Sequence, residues 1–102
     1  MKNIFEVLSE PHRRSMLDLL RIRERSVGEL VEQSQLSQPG VSKHLKILRE
    51  AGLVEVRSVS QKNIYSIRPE PLQEVDRWLE EYRHFWSNKL DNLQLYLDGE
   101  ER

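Results

Sequence analysis

The chain contains no cysteine. Disulfides, thiolate metal sites and thiol redox sensing are excluded together. No apolar run approaches the ~20 residues of a membrane span, and no charged-then-apolar leader opens the chain. A cytoplasmic location with no membrane partner is therefore expected. Internal repeats and low-complexity tracts are missing. So are a nucleophile set beside a base, a glycine-rich phosphate loop and a cluster of metal ligands, and neither an enzyme nor a bound cofactor is expected.

The 102 residues, 37% of them hydrophobic, support one domain with a small core that a partner chain would help to complete. Their formal charge of −1 conceals two opposed halves. Residues 11–68 hold eleven Lys or Arg against six Asp or Glu, whereas residues 69–102 hold four against nine. A basic module joined to an acidic one suits a nucleic-acid contact on one side and a different task on the other.

Periodicity predicts a mainly α chain with a small β-hairpin, an α+β fold. Ile4, Phe5 and Leu8 mark a first helix within residues 1–10. A second begins at Pro11, with Met16, Leu17, Leu19 and Leu20 apolar and Arg13, Arg14 and Arg21 on its polar side. Ser26-Val27-Gly28-Glu29 has capping-box spacing and opens a third helix running to about Gln33. A fourth starts at Ser37, tolerates Pro39 in its first turn and stops before Gly52, a residue suited to a left-handed helix end. Val41, Leu45 and Leu48 recur at i, i+4 and i+7 and face inward. That leaves an outward arc of Pro39, Ser42, Lys43, Lys46, Arg49 and Glu50.

The period then changes. Leu53–Arg57 and Asn63–Ile67 are rich in β-branched residues and read as a hairpin, residues 53–67, with Ser58–Lys62 as its tip. Pro69 and Pro71 end it, and a long helix fills residues 70–98, its apolar residues at steps of three or four. At ~1.5 Å per residue this helix is roughly 40 Å long. Its stripe of Val75, Trp78, Leu79, Tyr82, Phe85, Trp86, Leu90, Leu93 and Leu97 exceeds what so short a chain can cover. A second copy is the simplest cover, so a homodimer is expected, with Ile4, Phe5 and Leu8 joining the interface.

Two short helices, a tight turn and a hairpin compose a winged helix-turn-helix, residues 11–68 within a single domain of residues 1–102. The second helix of such a unit enters the major groove of double-stranded DNA. Ser37, Gln38, Gly40, Ser42 and Lys43 lie at its leading end. Gln pairs with adenine and Lys donates to guanine, while Lys46 and Arg49 sit nearer phosphate. Arg57, Gln61 and Lys62 are the wing's candidate DNA contacts. His44, beside the core stripe, is either a DNA contact or a structural histidine.

"LSEPHRRSMLDLL", "SVGELVEQSQLSQPGVSKHLKILREAGLV" and "IYSI" resemble the ArsR/SmtB family of small winged-helix repressors. The likeness covers about residues 4–68, and Ser42-x-His44-Leu45-x-x-Leu48 followed by Ala51-Gly52-Leu53-Val54 is its most specific part. The resemblance implies a dimeric repressor that leaves its operator when a signal arrives, with Gln38, Ser42, Lys43 and His44 on the DNA-facing helix. Two features depart from the family. The wing tip reads Ser60-Gln61-Lys62-Asn63 where relatives often carry Gly-Arg, and "GELVEQ" lacks the cysteine motif of the arsenic and cadmium sensors. Trp78 stands where the zinc-sensing Asp-x-His needs its histidine. No metal site is expected, since Glu80 and His84 at i, i+4 fall short of three or four ligands. An unidentified small-molecule inducer fits this reading. Two alternatives are a protein-interaction module whose basic arc meets an acidic partner, and a metal-responsive repressor with an unrecognised site.

Overall fold

A computed structural model describes residues 2–100, with side chains as far as residue 89. In chain order it comprises α1 (Ile4–Leu8), α2 (Pro11–Ile22), β1 (Arg25–Ser26), α3 (Val27–Ser34), α4 (Gln38–Glu50), β2 (Val54–Val59), β3 (Lys62–Ile67) and α5 (Gln73–Glu100). A turn of 3-10 helix, Glu70–Leu72, precedes α5.

Local chemistry explains most boundaries. The Ser26 hydroxyl accepts from the Glu29 N–H at 3.2 Å while a Glu29 carboxylate oxygen accepts from the Ser26 N–H, closing the capping box that opens α3. α3 ends on Gln35 in the left-handed region, φ 63°. Ser37 caps α4 by accepting from the Gly40 N–H at 3.2 Å. At the far end Gly52 takes φ 77°, its N–H donating to the Arg49 carbonyl and that of Leu53 to the Leu48 carbonyl. This paired closure needs a left-handed residue at position 52, which glycine adopts without a Cβ penalty.

Val41, Leu45 and Leu48 are fully buried and meet Val7, Met16, Leu20, Leu30, Leu53 and Val54 in one core. Burial of each is worth roughly 1.5–3 kcal/mol. Together they fix which side of α4 faces outward.

Four sequence expectations change. The sheet has three antiparallel strands in the order β1-β3-β2, with Arg25 opposite Tyr65 and Ser26 opposite Ile64. β1 is too short to alternate and could not be seen as a strand. The hairpin is tighter than expected, with Ser58 paired to Asn63 and Val59 to Lys62, so the tip is only Ser60-Gln61. Arg13 lies on the inner side of α2, 8% exposed, because it shares the i, i+3, i+4, i+7 spacing of Met16, Leu17 and Leu20. Ile4, expected to meet a partner chain, is 6% exposed and committed to its own core.

Both tip residues have positive φ, 49° at Ser60 and 66° at Gln61, as a two-residue type I′ hairpin requires. Neither prefers that region, which costs L-residues about 1–2 kcal/mol each. Ser60→Asn with Gln61→Gly should therefore stabilise the fold by about 1 kcal/mol. Thermal unfolding checks this, and an unchanged or lower midpoint would argue against this turn.

Candidate nucleic-acid interface

The outward arc of α4 is presented as a surface. Gln38, Pro39, Ser42, Lys43, Lys46, Arg49 and Glu50 are exposed, while Gly40 and His44 are half-buried. Ser37 is exposed, but its hydroxyl is engaged as the cap. A Cβ at Gly40 would lie 3.3 Å from that hydroxyl oxygen, so a side chain there would press on the cap.

A cleft of about 330 Å³ joins the start of α4 to the wing, lined by Gln38, Gln61, Lys62 and Asn63 together with the start of α3 at Ser26–Gly28. Residues separated by more than twenty positions thus share one surface.

Several of the cations are held in ion pairs. Arg23 pairs with Glu29, Arg57 with Glu24, Arg68 with Glu55 and Glu70, and Arg83 with Asp76 and Glu80. Among the described residues, Lys43, Lys46, Arg49 and Lys62 enter no ion pair. Lys2, Arg13, Arg14, Arg21, Arg25, Arg77 and Lys89 also lie outside ion pairs, but these four are grouped on α4 and the wing. An exposed cation without an acid partner can meet a phosphate without first breaking a pair. Arg57, a wing candidate, is held by both Glu24 carboxylate oxygens at 2.5 Å. That pair lowers the Glu24 pKa and raises that of Arg57. It spans 33 residues of sequence, which is why the sequence could not reveal it.

His44 turns toward α2. Its Nδ1 is 3.3 Å from Arg13 Nη1, and its ring stacks on His12 at 5.8 Å between centroids. Burial, then the Arg13 charge, pushes its pKa below the ordinary value. Glu10 accepts from the His12 backbone N–H at 3.0 Å and lies 2.9 Å from His12 Nδ1; these contacts lower its pKa. Glu10 and His12 were not singled out in the sequence, and Arg13 was placed on the polar side of α2. The inward spacing of Arg13 on α2 was the one available signal.

On α5, Trp78, Tyr82, Phe85 and Trp86 form an exposed aromatic face, and Val75 and Leu79 are half-buried. Phe5 packs edge-to-face on Trp78 at 5.6 Å, and Leu8 is half-buried beside the core. The side chains of Leu90, Leu93 and Leu97 lie outside the described residues. No helix among the described residues is long and apolar enough to cross a membrane.

A capped, outward-facing helix following a short helix and flanked by a β-hairpin defines a winged helix-turn-helix DNA-binding regulator. The chain belongs to the ArsR family. The family model described as "Bacterial regulatory protein, arsR family" matches residues 10–56. The transcriptional repressor SdpR of Bacillus subtilis is 34% identical over 78% of this chain and 88% of its own. The arsenical resistance operon repressor of Staphylococcus xylosus is 36% identical over 78% of this chain and 77% of its own. The solved structure of an ArsR-like transcriptional regulator from Rhodococcus sp. RHA1 superposes with a TM-score of 0.68 at 28% identity, covering 88% of this chain and 85% of that one. The chain is thus a DNA-binding transcriptional regulator and not an enzyme.

The metal sites known in the family do not fit these residues. The chain has no thiol, residue 78 is a tryptophan with no ligand atom to offer, and Asp76 is engaged by Arg83. Glu10, His12 and His44 do bring one donor atom each within 4.8 Å of one another. However, a guanidinium already lies against His44, and its charge opposes a second cation. Zinc should therefore bind weakly and leave DNA affinity unchanged, as competition with a chromophoric chelator would report. Stoichiometric uptake lost on His12→Ala would overturn this and assign the cluster as a metal site.

Proposed function

We propose that the chain represses transcription as a homodimer on a palindromic operator, with α4 in the major groove and the hairpin beside the adjacent minor groove. The observation that carries this reading is the grouping of four exposed cations outside any ion pair, Lys43, Lys46, Arg49 and Lys62, on α4 and the wing, with the other side of α4 locked in the core. Gln38, Ser42 and Lys43 are assigned to base edges, and Lys46 and Arg49 to phosphate. Gly40 keeps the leading turn slim and Ser37 holds its cap. Gln61 and Lys62 are the wing's contacts, while Arg57 must share itself between Glu24 and DNA. His44 borders this surface from the α2 side. The working compartment is the cytoplasm, and the inducer, if the operator is released by one, is a small molecule of undetermined class.

For dimerisation we assign Phe5, Leu8 and α5 from Val75 through Trp86, extended by Leu90, Leu93 and Leu97 on the sequence pattern. Left uncovered, such an aromatic face would be unusually large for a monomer. The acidic helix then lies at the two-fold axis, away from phosphate. Two reading helices related by that axis would sit about one DNA turn apart, roughly 34 Å.

Genomic fragments retained by the protein supply the operator duplex for the tests. Lys43→Ala and Lys46→Ala should weaken binding without unfolding the chain, since both side chains are exposed. Loss of Lys46 should weaken all sequences alike and lower the salt slope by roughly one. Unchanged affinity in both variants at fixed salt would exclude α4 as the reader. Trp78→Glu with Trp86→Glu should give monomers by sedimentation and a collapse of operator affinity, although no residue of the α4 arc is altered. Wild-type monomers at micromolar concentration would defeat the dimer.

A further inference from the structure

Arg13 is almost buried, yet among the described residues no carboxylate pairs with it. Its guanidinium is spread over three acceptors instead. Nε donates to the Val7 carbonyl at 2.7 Å, Nη2 to the Glu6 carbonyl at 3.3 Å, and Nη1 lies 3.3 Å from His44 Nδ1. The two carbonyls belong to α1, and His44 belongs to α4. α1 in turn carries Phe5, which rests on Trp78 of α5. One side chain of α2 therefore joins the helix beside the aromatic face to the helix that carries Lys43 and Lys46.

A guanidinium has only donors, so His44 Nδ1 must accept and the proton of the neutral ring sits on Nε2. The link exists only while His44 is neutral. Protonation would place an N–H against an N–H and two positive charges side by side. The charged groups around this ring are His12 and Arg13 from α2, Glu10 that caps that helix, and Lys43 from α4 itself. Three of these four favour the neutral form when charged, and only Glu10 opposes them.

We propose that Arg13 is a positioning residue for DNA reading: it does not touch DNA but sets how α4 is held against α1 through a neutral His44. This rests on α4 being the reader. The pH dependence follows by sign. A histidine whose folded-state pKa is depressed binds fewer protons folded than unfolded, so its contribution to stability is present above its ordinary value near 6.5 and declines as pH falls through that value toward the folded one. The positioning should fade over the same interval.

The test uses the full chain and the duplex selected from genomic fragments. Arg13→Met replaces the buried charge with an apolar side chain. Its operator affinity should fall roughly tenfold near neutral pH, and the His44 ring, followed by NMR, should titrate closer to its ordinary value. Should Arg13→Met fail to fold, His44→Asn and His44→Leu carry the test. Both lack Nε2, but only Asn keeps an acceptor where Nδ1 stands, so the Leu variant should bind roughly tenfold more weakly than the Asn variant. Arg13→Met that melts lower but binds as the wild type, with His44 titrating unchanged, would overturn the proposal. So would equal affinities of the two His44 variants. If Lys43→Ala and Lys46→Ala are silent instead, the α4 reading fails, while the Arg13–His44 coupling remains measurable by titration alone.

Discussion

Val41, Leu45 and Leu48 are the residues on which the remaining surface depends. Each is completely withdrawn from solvent, and their common line fixes the rotation of α4 about its own axis. A turn of one residue, about 100°, would carry Lys43 or Lys46 toward the core and expose leucine. The roughly 1.5–3 kcal/mol gained by burying each of these side chains is thus also what holds the basic arc outward. The caps restrict the helix along its axis in the same way. Ser37 sets where it begins and the left-handed Gly52 sets where it ends, so Gln38 comes at its leading turn and Leu53 drops back into the core.

Charge placement adds a second constraint. The arginines that brace the scaffold are satisfied within it, by acids at the surface or by backbone carbonyls where they are buried. Arg25 illustrates the latter, its Nε donating to the Leu19 carbonyl at 3.1 Å. The exposed Arg14 also donates to a backbone carbonyl, that of Leu8, at 2.6 Å. The lysines of α4 have no such engagement. An even net charge over the whole chain is therefore compatible with a local positive surface, because the acids that balance the total lie mostly on α5 and on scaffold arginines. That distribution is consistent with a protein that meets a polyanion on one side and keeps like charge away from it.

Much of the architecture could be read directly. The helical periods, the capping box at Ser26, the cap at Ser37, the stop at Gly52 and the hairpin all follow from short-range rules that act within a few residues. The family likeness, carried by the run from Ser42 to Val54, rests on the same stretch and agrees with the relatives found for the chain. The arc of α4 was legible because an amphipathic helix declares its outer face once its inner one is known.

The sequence by itself determined the order of helices, the hairpin, the side of α4 that faces outward and the absence of thiol chemistry. Tertiary structure alone decided which cations are available, since the Glu24–Arg57 pair and the Arg13–His44 contact join residues 33 and 31 positions apart. It also decided that Arg25-Ser26 is a strand, because two residues have no period and become β only when β3 offers hydrogen bonds. The physical reason is common to all three. Propensity and periodicity are properties of neighbours in the chain, whereas ion pairs, buried polar contacts and edge strands are set by whichever distant segment the packed core brings alongside.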